Sequence, residues 1–294
     1  MGEWQAWGVA LARAVWTIYW PLLVLVGIAT LIERVAPVEP MRPRALLFNL
    51  VWHACFLAIF VALSWSAWGA MVAALEHWVG APLIALSPAS GWHLAAQIAL
   101  VLLVFDFLAY WLHRAQHAVP VFWAVHRMHH DEQHLHAATG IRQQWLQLVF
   151  AQLVLGVPLA WLFGPLALHP AVYWLPVGVS VFQHMNLRLP LGRVTPLLMG
   201  PQLHRLHHAT EARIYNTNYA TLLPLWDMLF HTYRAPAPGE FGATGIAGAA
   251  PTASLARALV LPVAEWWRMA YVSPTDGQKS AAGKRDAVVR ARRR

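Results

Sequence analysis

The chain is poor in charge. Only 12% of its 294 residues are Asp, Glu, Lys or Arg, about half the share of an ordinary soluble domain. Between residues 45 and 113 there is no Lys or Arg, and Glu76 and Asp106 are the only acids. A stretch of that length with so few charges is suited to hydrocarbon rather than water. Cysteine is almost absent as well. Cys55 alone excludes an intramolecular disulfide and a cysteine-rich metal site, and within its apolar run it reads as a core or lipid-facing residue. The chain also has no flavin fingerprint, no CxxC pair and no HExxH motif. The first two absences remove an internal electron carrier, and the third removes a zinc-peptidase-type site.

What is present is apolar: 59% of residues are hydrophobic. A first run covers about 8–32, broken only by Arg13. It has no cleavage-site pattern and is kept as a span. After "ERVAPVEPMRPR" a second uncharged run extends from Ala45 to Leu75. It is too long for one upright crossing, so a span near 45–65 is expected, followed by an interfacial or re-entrant segment to about 80. Trp65, Trp68 and Trp78 suit headgroup level. A third run, "WHLAAQIALVLLVFDFLAYWL", covers 92–112; a fourth covers about 144–163; after "FGPLALHP" a fifth covers about 171–184.

The positive charges then fall on one side. Arg34, Arg42, Arg44, Arg114, Arg127, Arg142, Arg188, Arg193, Arg205 and Arg213 all lie between or after the spans. Five crossings with the N-terminus outside place them together, and the positive-inside rule makes that side the cytoplasm. The expectation is an all-α polytopic protein of a bacterial inner membrane, with four to five transmembrane helices and a cytoplasmic, histidine-rich helical cap. Residues 251–271 read as an amphipathic interfacial helix, with Trp266, Trp267 and Tyr271 beside Arg257 and Arg268. Residues 273–294 carry seven Lys or Arg against two Asp and read as a disordered basic tail suited to anionic lipid. With no aromatic interleaving, the tail offers no nucleic-acid surface.

Histidine is the polar residue this chain concentrates. "HRMHH" sets His126, His129 and His130 at i, i+3, i+4, and "HRLHH" repeats the spacing with His204, His207 and His208. "HRAQH" adds His113 and His117 at i, i+4, and "FQHMN" adds His184. On helices these spacings share a face. A random chain of this composition would carry HxxHH about 0.05 times. By the topology above, all nine meet at one side of the membrane. Nine clustered imidazoles are costly to bury without a use. They exceed the four ligands of one zinc ion but suit two ions with four or five each, and nitrogen ligation alone fits zinc, copper, iron or nickel. A histidine relay for transport would string polar groups across the bilayer instead of gathering them at one end. His53, His77, His93, His169 and His231 stand alone and read as packing residues, whereas His134 and His136 remain open. The arginine inside each pentad is expected to turn away toward a phosphate or carboxylate. Asp106, seven residues before His113, either orients an imidazole or caps another polar group between helices.

In order along the chain, Asp106, "YWLHRAQH", "HRMHH", "TGIRQ", "QHMN", "LHRLHHA" and "NYATLLPLWDMLFHTY" resemble the sterol desaturase / fatty acid hydroxylase superfamily of integral-membrane di-iron enzymes. The likeness covers roughly 100–234. It implies two iron ions held by His113, His117, His126, His129, His130, His184, His204, His207 and His208. It also implies O2 as co-substrate, a bilayer lipid as substrate, and electrons from a separate ferredoxin or cytochrome. Hydroxylation of an unactivated C–H bond is the main expectation, and desaturation the alternative. Asp106, Arg142, Asn186 and Asn218 match family positions at the site or its scaffold, as do Tyr219, Trp226 and Asp227. Some members carry a tenth ligand four residues after the histidine at 184. Here Arg188 stands there, which leaves water or His136 for that position. The chain accordingly divides into N-terminal helices (1–92), a catalytic region (93–240), the interfacial segment (241–272) and the tail (273–294). An acyl chain is expected to enter between spans three to five. Trp145, Trp161 and Trp174 are read as bilayer anchors or packing residues more readily than as its lining.

Overall fold

The computed structural model describes residues 3–80, 82–84, 89–164, 167, 169–211 and 214–271, and excludes the side chains of 3–7, 63–73, 75–76 and 78–79. Arg213, the basic tail and the side chains of Trp65, Trp68 and Trp78 therefore lie outside the described residues. Among those described the chain is helical, with one isolated antiparallel bridge, Ala209 to Thr244, and no strand.

The long helices are α1 (Glu3–Glu33), α2 (Pro43–Val79) and α3 (Gly91–Ala118). Shorter ones follow: α4 (Pro120–His130), α5 (Trp145–Ala151), α6 (Val157–Phe163), α7 (Pro170–Gln183), α8 (Pro201–His207), α9 (Leu225–Leu229) and α10 (Leu255–Tyr271). A π-helical turn, Gln152–Gly156, joins α5 to α6. Its cause is local: Pro158 has no N–H to give, and its ring crowds the carbonyl four residues back, so the ladder widens just before it.

Among the described residues, four helical stretches are long and apolar enough to cross a membrane: Gly8–Glu33, Pro43–Ala62, Gly91–Ala118 and Trp145–Phe163. Two expectations change. The break foreseen after residue 65 does not occur, because α2 runs unbroken to Val79; no proline interrupts its hydrogen-bond ladder. The fifth span is also short. α7 has 14 residues, about 21 Å of helix against a hydrocarbon core of about 30 Å. It still serves as the return limb that brings His184 back to the other histidines. The faces that would meet lipid carry exposed Trp16, Val24, Ile28, Leu31, Leu103, Leu153 and Leu175, and Cys55 is exposed among them.

The two ends of the bundle differ. At one end, Leu83 and Ile84 donate backbone N–H to the carbonyls of Trp161 and Leu162. At the other, the α1–α2 loop, the 3₁₀ turn Ala137–Ile141 and the segment after α7 are tied together. There Leu22 and Val26 pack on Ala137, Ala138, Ile141 and Val181. Trp52 and Phe56 pack on Met128, Ala258 and Leu261, which seats α10 against α4. That second end is the one that carries the histidines.

Candidate metal centre

α3 delivers His113 and His117, α4 delivers His126, His129 and His130, α8 delivers His204 and His207, and the C-caps of α7 and α8 deliver His184 and His208. Their ring nitrogens form two groups. One is His113, His117, His126, His130 and His207; the other is His129, His184, His204 and His208; within each group the nitrogens lie within 4.8 Å of one another. The pentads interlock: each sends its i, i+4 pair to one group and its i+3 histidine to the other. The His130 and His208 rings stack between the groups at 4.2 Å.

Backbone carbonyls orient several rings. Nδ1–H donates to Tyr219 O in His113 (2.6 Å), to Ser180 O in His184 (2.6 Å) and to Thr217 O in His207 (2.8 Å). Each such bond leaves Nε2 as the lone-pair nitrogen. His184 Nε2 then faces His204, His129 and His208 Nε2 at 3.0, 3.1 and 3.3 Å. One lone pair cannot satisfy three ring nitrogens, but a cation among the four can. Nitrogens bound to a common ion at about 2.1 Å lie about 3.0–3.4 Å apart, which matches these spacings. The Nε2 atoms of His113 and His207 are buried with no hydrogen-bond partner. Burial first, then neighbouring imidazoles, push His126, His129, His130, His204, His207 and His208 well below the ordinary histidine range. They are neutral at pH 7, the form that ligates. The nine residues fit a nitrogen-bound transition-metal centre.

The polar residues singled out with them act one layer out. Asp106 accepts N–H from Thr221 (3.2 Å), Leu222 (2.8 Å) and Leu223 (3.0 Å) and from the Trp226 indole (3.1 Å). Of its two expected roles, the structure shows the capping one. Asp106 holds the loop whose Tyr219 carbonyl orients His113, and Asp227 fixes the same loop through the N–H groups of Tyr219 and Ala220. Arg142 is buried; it donates to Met128 O, Asn49 Oδ1, Asp131 Oδ1 and Thr252 O, bracing the C-terminus of α4. Asn186 ties the α1–α2 loop, accepting from Val38 and Glu39 N–H and donating to Glu39 O. Asn218 sits at φ +57, a conformation asparagine tolerates, and bridges to Arg234. Arg127 and Arg205 turn to Glu265 and Glu39, the expected carboxylate contacts. Arg188 donates to Pro37 and Val38 carbonyls, and His136 contacts Asn49; neither joins a nitrogen group.

Sequence reasoning missed Glu33, Glu39, Asn49 and Asp131. Glu33 Oε1 accepts from Ala137 N (2.7 Å) and Asn186 N (2.8 Å). Asp131 also holds Thr252. The available signal was an acid or amide set at the edge of an apolar run.

Two openings reach the centre. A cavity of about 230 Å³ lies between α3, α5 with its π turn, and α7, and touches histidines of both groups. It follows the route expected between spans three to five, and Trp145, Trp161 and Trp174 are not among its lining residues. A second pocket, of about 500 Å³, opens against His117 and His130.

Comparison with known proteins gives the same ancestry. Residues 98–232 match the fatty acid hydroxylase family. The chain is 33% identical over 137 residues to human alkylglycerol monooxygenase, covering 44% of this chain and 29% of that protein. It is 29% identical over 160 residues to the ornithine lipid hydroxylase OlsE of Rhizobium tropici (52% and 47%). It is 30% identical over 154 residues to the methylsterol monooxygenase erg25A of Aspergillus fumigatus (50% of each). The chain thus spans half or less of the length of these relatives, and no solved structure matches it. All nine histidines lie inside the segment, residues 98–232, that matches the fatty acid hydroxylase family.

Proposed function

We propose that the chain is an integral-membrane di-iron oxygenase that hydroxylates an unactivated C–H bond of a lipid, using O2 and electrons from a separate protein. The observation that carries this reading is the sorting of nine imidazoles, seven buried and two half-buried, into groups of five and four. Iron held by His113, His117, His126, His130 and His207 on one side, and by His129, His184, His204 and His208 on the other, would supply the O2 activation and hydrogen abstraction that protein groups cannot. The chain's own residues prepare the place. Carbonyls of Tyr219, Ser180 and Thr217 set the imidazole tautomers. Asp106, Arg142, Asn186 and Asn218 are positioning residues that hold the loops carrying those carbonyls and rings. The cavity between α3, α5 and α7 admits a lipid from the bilayer side and keeps bulk water from the reacting carbon.

The relatives named above are hydroxylases and monooxygenases by name, which favours insertion of oxygen over desaturation. The loop arginines support a centre facing the cytoplasm at a bacterial inner membrane. That basic face suits an acidic ferredoxin or cytochrome as donor. Elemental analysis of purified protein, with ¹⁸O2 incorporation into a lipid product, tests the reading. Two irons per chain and one labelled oxygen in an alcohol are expected. Stoichiometric zinc from iron-replete cells, or an alkene without label, would overturn it.

A further inference from the structure

The cavity between α3, α5 and α7 has a mixed wall. Part of it is apolar, with Phe105, Ala109, Leu148, Ala151 and Leu155. Beside the histidines it changes character: Gln116, Gln143, Gln147 and Gln183 all line it. Four primary amides around one small cavity are a poor lining for a bare hydrocarbon, because an amide group without a partner there would lose water and gain nothing.

The amides are not equally occupied. Gln116 donates to Gln147 Oε1 at 2.5 Å, and Gln143 lies 3.3 Å from His129 Nδ1. Ser180, on the same wall, is engaged with Gly140 O. Gln183 differs. It is 4% exposed, and its Oε1 is buried without a hydrogen-bond partner. It is the last residue of α7, immediately before His184, and both residues line the cavity.

We infer that Gln183 is a specificity residue whose Oε1 accepts a hydrogen bond from a substrate hydroxyl or amide N–H within a few bonds of the carbon that is oxidised. This rests on the oxygenase reading above and narrows it. The substrate is a lipid attacked at or beside its polar linkage, with the first carbons of its chain against Phe105, Leu148 and Leu155. A methylene in the middle of an acyl chain would leave the Gln183 oxygen unpaired. Sites that hydrogen-bond a substrate donor reject the analogue that lacks it far more strongly than apolar pockets reject a missing methylene.

The test uses the full chain in nanodiscs and matched lipid pairs. 1-O-hexadecylglycerol is compared with its 2,3-di-O-methyl ether, and N-methylpalmitamide with N,N-dimethylpalmitamide. The pairs separate a hydroxyl from an amide as the donor. Binding to metal-free protein is read by titration calorimetry, and turnover of the iron-loaded enzyme by mass spectrometry. At least one donor-bearing lipid is expected to bind ten-fold or more tightly than its methylated partner. Gln183→Met should erase that ratio by raising KM for the donor-bearing lipid, with iron content and melting temperature unchanged. Equal binding of both members of both pairs by the unaltered protein overturns the inference without recourse to any variant. So does a ratio that survives in Gln183→Met, or oxidation confined to mid-chain carbons. The two readings fail separately. Discrimination in binding with no iron-dependent product sinks the oxygenase proposal and leaves a donor-selective lipid site, whereas iron-dependent product without discrimination sinks only this inference.

Discussion

Gly140 is the narrowest point between fold and site, and its replacement by alanine makes the sharpest test. It lies in the 3₁₀ turn Ala137–Ile141, against α7. A Cβ built there would sit 2.5 Å from Ser180 O, 2.8 Å from Ser180 C and 3.0 Å from Ser180 Oγ. The obstructing atoms are mostly backbone, so no side chain can swing aside. Reaching an ordinary contact of 3.4 Å requires the turn and the helix to separate by about 0.9 Å. Ser180 O is also the acceptor that orients His184, and metal–ligand distances tolerate only about 0.2 Å. Gly140→Ala should therefore cost the about 1–3 kcal/mol typical of overpacking and also release the metal of the four-histidine group. Metal content is expected to fall from about two ions per chain to about one, with a lowered melting temperature in detergent. Gly178→Ala is the control on the same helix. Nothing lies within 4 Å of its Cβ, so it should keep both ions and be neutral or more stable by roughly 0.5–1 kcal/mol. If Gly140→Ala retained full metal content and the parent melting temperature, the coupling of this turn to His184 would be wrong.

Other outcomes follow from the same geometry. Asp106→Ala strands three backbone N–H groups and an indole N–H, each costing about 1–3 kcal/mol; its melting temperature should collapse, and a modest shift would refute the capping role. His117→Ala leaves four nitrogens in its group and should hold near-parent metal by elemental analysis. His204→Ala leaves three and should lose about one ion; equal losses would contradict the partition. The depressed imidazoles make the metal-free protein acid-sensitive: below about pH 6.5 the unfolded chain binds protons that the folded chain refuses, so stability present above that pH is lost as pH falls, by up to about 1.4 kcal/mol per unit for each imidazole. A melting temperature flat from pH 7 to 5 would refute this. Turnover with an acidic donor should fall as salt rises from about 0.05 to 0.5 M, and a salt-independent rate would remove the charge-steering argument.

The histidine set was legible because its spacing is helical and its rarity is numerical. Eight residues could be named from i, i+3 and i+4, His184 was added from its place at the end of a span, and the count of nine anticipated a four-or-five partition. The interlocking of the pentads was not legible, since it depends on how α4 and α8 are set against each other in space. Hydropathy found the spans, ended the second too early, and counted as a fifth crossing a helix whose bounds it gave within a residue. α2 carries no sequence break to stop it at 65, and α7 is apolar enough to resemble a crossing while being too short for one. Asp106 shows the limit most plainly. A lone carboxylate seven residues before a histidine reads equally as its partner or as a loop cap. Only the position of 221–223, more than a hundred residues away, decides between them. Glu33, Glu39 and Asn49 had no periodicity to betray them, because each bonds across the chain to segments near the second half of the site.

Those cross-chain bonds mean that the family-matched segment is not a self-sufficient unit. Residues 98–232 contain every histidine of the centre, yet three of its anchors lie before residue 98. Glu33 caps Ala137 and Asn186, Asn49 accepts from Arg142, and Glu39 holds Arg205 inside the second pentad. Glu33 carries the most direct prediction. Its Oε1 serves two buried N–H groups, one at the 3₁₀ turn under α7 and one two residues after His184. Glu33→Ala leaves both unsatisfied, at about 1–3 kcal/mol each, and should loosen His184 although the two residues are 151 positions apart in the numbering. Glu33→Gln keeps an acceptor oxygen and should retain most of the metal. The assay is metal content and melting temperature for both variants beside the parent. If the alanine variant kept both ions, or if the glutamine variant lost them equally, the N-terminal helices would be mere membrane anchors and not part of the scaffold that aims the imidazoles.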